Sequence, residues 1–377
     1  MHHVWLVPGF FGFANLGDLR YFAHVLELLP TLYAERGITA DVQVVRTVPT
    51  ASLPRRAARL VDTIDATLPD DGPIHLIGHS SGGLDCRLLC APSATLPSPV
   101  DVARIAARVD AVVTVATPHH GTPLAEFFAS MLGQRLLRLL SLSTVYLLRV
   151  GRLPLAALLG LGTAFASIDG RLGINSVLLD ELFAQLLTDL TPDRREALRT
   201  FFGEVERDQA LLTQLTPDGM DVFNALAADR PTTRYGSVVA RARTPGVGST
   251  LEVGLDPTAH ATHAIYQALH RLTRTPPEHV APLTDAQANA LRAAYGDVPD
   301  ADANDGVVPT RSQPWGRVVY ATRGDHLDVL GHFGDATRVP AHIDWLTTGS
   351  GFDRAEFDAL WTAVVDFLLD SPSATHS

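Results

Sequence analysis

The sequence predicts an α/β protein built on a mostly parallel central sheet flanked by helices, and three observations carry that expectation. Short apolar runs alternate with longer helical stretches from residue 4 to residue 122. A Leu-rich stretch without strand signal then runs from 124 to 215. Strand signal returns in TRYGSVVAR and again in GRVVYAT. Alternating strands and helices bury both faces of a sheet whose strands run parallel. The 377 residues are therefore expected to form one domain, 1–377, carrying a helical lid or cap inserted at 124–215.

The elements follow in order. VWLV opens the sheet, and a helix is expected near Tyr21 to Arg36. The strand ADVQVVR precedes a helix near Leu53 to Leu68. IHLIG is followed by a helix from Gly82 onward, then by the strand AVVTVAT at 111–117. The insertion begins with MLGQRLLRLLSLSTVYLLRV and becomes more polar around Thr191 to Arg207. A final helix near Arg354 to Leu369 closes the domain.

Composition bounds the function. With 46% hydrophobic and 19% charged residues the chain can bury a sizeable core. A net charge of −11, with scattered arginines and no lysine, excludes the basic stripe that nucleic acid requires. Cys86 and Cys90 lie four apart on one helical face and are expected to be buried free thiols. The first residues read as a strand rather than a leader, so a cytoplasmic location or leaderless export from a bacterium is expected. The longest uncharged run, between Arg152 and Asp169, is shorter than the roughly 20 residues of a membrane-crossing helix and contains Pro154.

The chemistry begins at Gly78-His79-Ser80-Ser81-Gly82, where the strand IHLI turns into a helix. A Gly-x-Ser-x-Gly at such a junction is a nucleophile elbow. Glycines permit the tight turn, and the turn lifts Ser80 Oγ out of the sheet toward a helix N-terminus that favours negative charge. Ser81 is a weaker candidate, because His79 and not glycine stands two residues before it. A serine needs a base, and the base an orienting acid. Asp305 in NDGVVP and His326 in RGDHLDVLGHF complete the order Ser, Asp, His, and both are expected on loops delivered by late strands. His332 is the alternative base, and Asp302 or Asp325 the alternative acid. The oxyanion needs fixed donors. The backbone amides of Ser81 and of Phe10, in the VPGFFGF turn, are the candidates. The side chains of Phe10, Phe11 and Phe13 are equally suited to a hydrophobic plug.

These pieces resemble the bacterial true lipases, triacylglycerol hydrolases of the α/β-hydrolase fold. The similarity rests on PGFFGF, LIGHSSGG, TVATPHHGTPLAEF, LTPDGMDVFN, GLDP, NDGVVP and DHLDVLG, which together span the chain outside the insertion. It implies the triad and oxyanion donors above, fatty-acyl esters as substrates, and a mobile lid working at an oil–water interface. It also implies a structural calcium ion held by Asp256 of LDP and by Asp328, two residues after the histidine. Pro8 stands where the family has histidine, Ser81 where it has glutamine after the nucleophile, and His332 where a glutamine helps the calcium site.

The resemblance gives the greasy insertion a purpose. Leaving Leu132, Leu136, Leu137, Leu139 and Leu140 in water costs roughly 1.5–3 kcal/mol each. The segment is therefore expected to fold over the triad, either as a lid that opens to lipid or as a permanent wall of an acyl pocket, with Arg135 and Arg138 at its exposed side. Three functions compete: a lipase or carboxylesterase, an acyltransferase or aliphatic polyester hydrolase using the same site, and a non-catalytic binder of apolar ligands.

Overall fold

Six strands form one sheet in the order β2-β1-β3-β4-β5-β6. They span His2–Val7, Ala40–Val44, Ile74–His79, Val109–Val115, Arg234–Ala240 and Arg317–Thr322. Every pairing is parallel. The computed structural model describes residues 1–10, 21–48, 50–67, 71–150, 208–253, 255–335 and 344–370, with 158–161, 163, 184, 192, 195, 196 and 337.

The central strands are mostly buried because helices cover both faces. β3 is buried at all six positions, while the edge strands β2 and β6 stay partly open. The expected elements are present. Helices α1 (Ala23–Glu35), α2 (Leu53–Thr67) and α3 (Ser81–Cys90) follow the first three strands. α4 is the short helix Val102–Ala107 before β4. Cys86 and Cys90 are buried free thiols on α3, as their spacing predicts.

The strand order reverses at β1: the chain leaves to β2 and returns to β3 on the other side. In open parallel sheets such a reversal leaves a crevice at the C-terminal strand ends. Val7, at the end of β1, is in register with Gly78, at the end of β3. The turn after β1 and the Ser80 turn therefore emerge side by side.

Within the inserted stretch, α5 (Pro123–Ala129) and α6 (Met131–Val150) are followed, after the segment 151–207, by α7 (Ala210–Gln214) and α8 (Pro217–Leu226). Most of 151–207 lies outside the described residues, including the polar part expected around Thr191 to Arg207. Leu136, Leu137, Leu139 and Leu140 on α6 are all buried, and Arg135 is exposed, so the apolar face is turned inward. The side chains of Leu132 and Arg138 lie outside the described residues. Beyond β5 come α9 (Val247–Glu252), α10 (Pro257–Leu272) and α11 (Asp285–Tyr295).

The last helix, α12, spans Arg354–Leu369. It buries Phe357, Leu360, Trp361, Val364, Val365 and Leu368, an apolar stripe at helical spacing. Trp361 Nε1 donates to Val329 O at 3.0 Å, tying this helix to the loop after β6. Among the described residues, no helix is long and apolar enough to cross a membrane.

Candidate active site

Ser80 sits in a conformation that L-residues rarely adopt, with φ 54° and ψ −133°. Such a backbone costs about 1–3 kcal/mol and persists only where neighbours over-determine it. Here Ser80 N donates to Val115 O at 2.8 Å, and Gly83 N donates to Ser80 O at 3.1 Å. The flanking glycines are required by contact. A Cβ on Gly78 would lie 2.5 Å from the Gly82 backbone, and one on Gly82 would lie 2.2 Å from Val7 O.

The turn after β1 meets this elbow directly. A Cβ on Gly9 would stand 2.5 Å from Ser80 Cβ and 3.0 Å from Ser80 Oγ. The next residue, Phe10, lines the same cavity as Ser80. Ser81 is the first residue of α3, so its N–H has no intrahelical acceptor and faces the helix entrance. Phe11 and Phe13 lie outside the described residues.

Asp305 and His326 are both fully buried, with Asp305 Oδ2 at 2.8 Å from His326 Nδ1. A carboxylate only accepts, so Nδ1 carries the proton and Nε2 presents its lone pair. His326 Nε2 is buried and has no hydrogen-bond partner among the described residues. The acid is fixed from every side. Asp305 Oδ1 accepts from the amides of Val307 at 2.9 Å and Val308 at 2.7 Å, and Oδ2 accepts from Gln313 Nε2 at 3.2 Å.

His326 follows β6 as expected, but Asp305 does not directly follow a sheet strand. It lies in a turn closed by the bridge between Asn304 and Pro309, ahead of β6. Ala242 N donates to Asn304 O at 3.0 Å, which brings that turn to the end of β5. His326 N donates to Asp305 O at 3.0 Å and joins the two loops.

The alternative residues are engaged elsewhere. His332 Nε2 donates to Tyr21 O at 3.1 Å. Asp302 is exposed, with its carboxylate 3.7 Å from Arg274 Nε. Asp325 Oδ1 accepts from the amides of Leu327 and Asp328 at 2.8 and 3.0 Å.

The cavity at Ser80 is walled by Phe10, Pro118, Leu124, Phe128, Leu137 and Val308, among others. Its volume is about 40 Å³. That admits a few waters and no acyl chain. The inserted stretch provides half of the wall, through α5, α6 and the 212–215 segment.

Comparison with solved structures bears on the fold. Lipase 1 from Pelosinus fermentans is 18% identical, over 97% of this chain and 98% of that one, with a TM-score of 0.51. The chain has the α/β-hydrolase fold. EstA from Clostridium botulinum is 18% identical over 97% of this chain and 87% of its own, at TM-score 0.49. The Staphylococcus hyicus lipase is 15% identical over 97% and 95%, at 0.47. No family model matches the chain, and neither does any curated protein.

Several residues around this candidate site escape sequence reading. Arg56, fully buried on α2, binds the Asp85 carboxylate with both Nε and Nη2 and donates from Nη2 to Pro8 O at 2.9 Å. Burial pushes Asp85 up to about 6, against the pull of Arg56. This pair anchors the turn that carries Pro8. Gln313 bridges Asp305 and β5, its Nε2 also donating to Ala240 O at 3.0 Å while its Oε1 accepts from Ala240 N at 2.7 Å. Neither partnership leaves a local pattern in the sequence.

His79 is the third. It was legible as part of the elbow, but its contacts were not. Tyr21 OH donates to His79 Nδ1 at 2.6 Å, and His79 Nε2 donates to His326 O at 2.8 Å. Burial first, then the neighbouring His326, lowers the His79 pKa well below the usual value. His79 therefore stays neutral in one tautomer.

Asp256 and Asp328, expected to share a calcium ion, do not fall in one carboxylate cluster among the described residues. Asp256 is exposed and caps α10, its Oδ1 accepting from Thr258 N at 2.9 Å. The carboxylates that converge with Asp328 are Asp325 and Asp344, with ligand atoms within 4.8 Å of one another. An aspartate at a helix entrance satisfies an orphan amide locally, which is why the LDP segment draws Asp256 to that role.

Proposed function

We propose that this chain is a serine hydrolase of carboxylic esters, with fatty-acyl esters as substrates. The observation that carries the reading is the imidazole of His326, locked by Asp305 at Nδ1 and left with a buried, unpartnered Nε2, its backbone held by His79, the neighbour of the strained Ser80. A buried unpartnered nitrogen is costly, and it is useful where a proton must be taken up.

In the proposed cycle Ser80 Oγ bonds to the ester carbonyl carbon as its proton passes to His326 Nε2. The carbonyl oxygen becomes an oxyanion held by the amides of Phe10 and Ser81. Collapse breaks the bond to the alcohol oxygen, which leaves with the proton from His326. Water then repeats the sequence on the acyl-enzyme, releasing the acid and restoring Ser80. Asp305 stays ionised throughout and stabilises the imidazolium.

The apolar wall of the cavity supports an acyl group as the bound moiety. Its small volume supports a closed arrangement in which α5 and α6 must shift to admit substrate, the behaviour of a lid. Chain-length profiling on p-nitrophenyl esters beside an emulsified triglyceride tests the substrate class. Preference for long chains and emulsion supports a lipase; activity confined to short soluble esters supports a carboxylesterase.

A calcium ion fits the cluster of Asp325, Asp328 and Asp344. Three hard carboxylates lie together, and Asp325 Oδ2 is buried without a partner among the described residues. Burial pushes Asp325 up to about 7 and Asp328 and Asp344 well above the carboxylate range, a state a divalent cation relieves. Bound there, the ion would tie the loop at 325–328, which carries His326, to Asp344. Asp256 has no part in this reading.

A further inference from the structure

We propose that Thr122 is a positioning residue for the reaction: its hydroxyl orients the peptide unit that holds the Asp305 carboxylate. The inference rests on the ester-hydrolase reading and adds a member to its machinery. Thr122 belongs to the TVATPHHGTPLAEF stretch that follows β4 and caps the entrance of α5.

Thr122 Oγ1 donates to Val307 O at 2.7 Å. The carbonyl of Val307 and the N–H of Val308 are two ends of one peptide unit, which resonance keeps planar. Holding the oxygen therefore fixes the direction of the N–H, and Val308 N donates to Asp305 Oδ1 at 2.7 Å. The other oxygen of that carboxylate, Oδ2, lies 2.8 Å from His326 Nδ1. One line of contacts thus runs from a hydroxyl through a peptide and a carboxylate to the imidazole. Thr122, Val308, Asp305 and His326 are all buried, and hydrogen bonds in series polarise and strengthen one another in such surroundings.

A hydroxyl can orient a peptide only where it is itself held. Thr122 N donates to Leu215 O at 2.9 Å, which closes the base of the inserted stretch. Leu124 N donates to Thr122 Oγ1 at 3.3 Å, so the single hydroxyl proton is left for Val307 O. Beside it, Ser312 Oγ donates to Gly121 O at 2.7 Å and accepts from His120 N at 3.0 Å. Val307, Val308 and Gln313, which touch the Asp305 carboxylate, lie within 8 positions of it. Thr122 adds a support from a segment 185 positions away from Val307.

The test compares the full-length parent with Thr122→Val and Thr122→Ser, by steady-state hydrolysis of a p-nitrophenyl ester and by the proton NMR resonance of His326 Nδ1–H. That resonance is identified by its loss in His326→Gln. Thr122→Val should lower kcat on the order of tenfold with KM unchanged, the effect of one lost hydrogen bond, and should shift the resonance. Thr122→Ser keeps the hydroxyl and should recover both; Thr122→Ala stands in for the valine variant if that one does not fold. Thr284→Val removes a cap of the same kind from α11, where Thr284 Oγ1 accepts from Gln287 N at 3.2 Å, and should change neither readout. A Thr122→Val protein with the parent's kcat or an unshifted resonance overturns the proposal, as does a Thr122→Ser protein equally impaired. The resonance is read on the resting protein, so a parent that hydrolyses no ester would sink the functional reading while the resonance still decides this inference.

Discussion

His79 Nε2 donates to His326 O at 2.8 Å, so the residue before Ser80, the proposed nucleophile, holds the backbone of the proposed base. The two rings are also in contact, with centroids 4.6 Å apart. The elbow and the histidine loop are thus one unit, braced from the other side by Tyr21.

Replacing His79 by alanine should remove the acceptor of the Tyr21 hydroxyl proton and the donor to the His326 carbonyl. The expected loss is about 2 kcal/mol of stability, and kcat for an ester substrate should fall on the order of 10²-fold as the base loses its position. Urea unfolding and steady-state kinetics of His79→Ala check both. Unchanged kcat would remove the positioning role.

The same residue sets a sign for the pH dependence. Its folded pKa lies well below 6.5, so the folded protein keeps it neutral. Below pH 6.5 the unfolded chain takes up a proton that the folded one does not, and stability is lost as pH falls. The slope is at most about 1.4 kcal/mol per pH unit for one such group. Between pH 6.5 and 5, a His79→Gln variant should lose less stability than the parent; an equal or steeper loss contradicts the assignment.

Asp305→Asn should keep the turn and reverse the tautomer of His326. A fall in kcat of about 10⁴-fold is expected, with the melting temperature little changed. Gln313→Ala touches the same carboxylate through one bond only and should cost about tenfold. Pre-steady-state burst kinetics separates these acylation defects from slow product release.

Arg56→Ala strips the partner from a fully buried Asp85 and releases Pro8 O. The loss should be about 3–5 kcal/mol by chemical denaturation. Arg56→Met/Asp85→Leu should recover much of the stability and none of the activity that depends on the turn after β1.

Chelation with EGTA should lower the melting temperature, and added calcium should restore it in proportion to the logarithm of its concentration. Asp328→Asn should abolish that response, while Asp256→Asn should leave it intact. A calcium response that depends on Asp256 would contradict the cluster.

Much of this was legible along the chain because it is local. Arg354–Leu369 reads as a helix from its own spacing, and Gly78 to Gly82 reads as an elbow because each glycine answers a steric demand within the turn. Asp305 and His326 were legible only through their motifs and order. What stayed hidden is contact across long separations. Arg56 reaches Pro8 across 48 positions, and His79 reaches His326 across 247. Asp256 shows the complementary case: its local contact is that of a helix cap, while the partnership with Asp328 was implied only by the resemblance.

The central claim, that Ser80 is an activated nucleophile, is tested most directly by labelling the intact protein with a fluorophosphonate and mapping the modified peptide by mass spectrometry. The account predicts a single adduct on Ser80, formed quickly in the parent, slowly in His326→Ala and not at all in Ser80→Ala. Labelling at another serine, or no labelling of a folded parent with its site open to the probe, would contradict it.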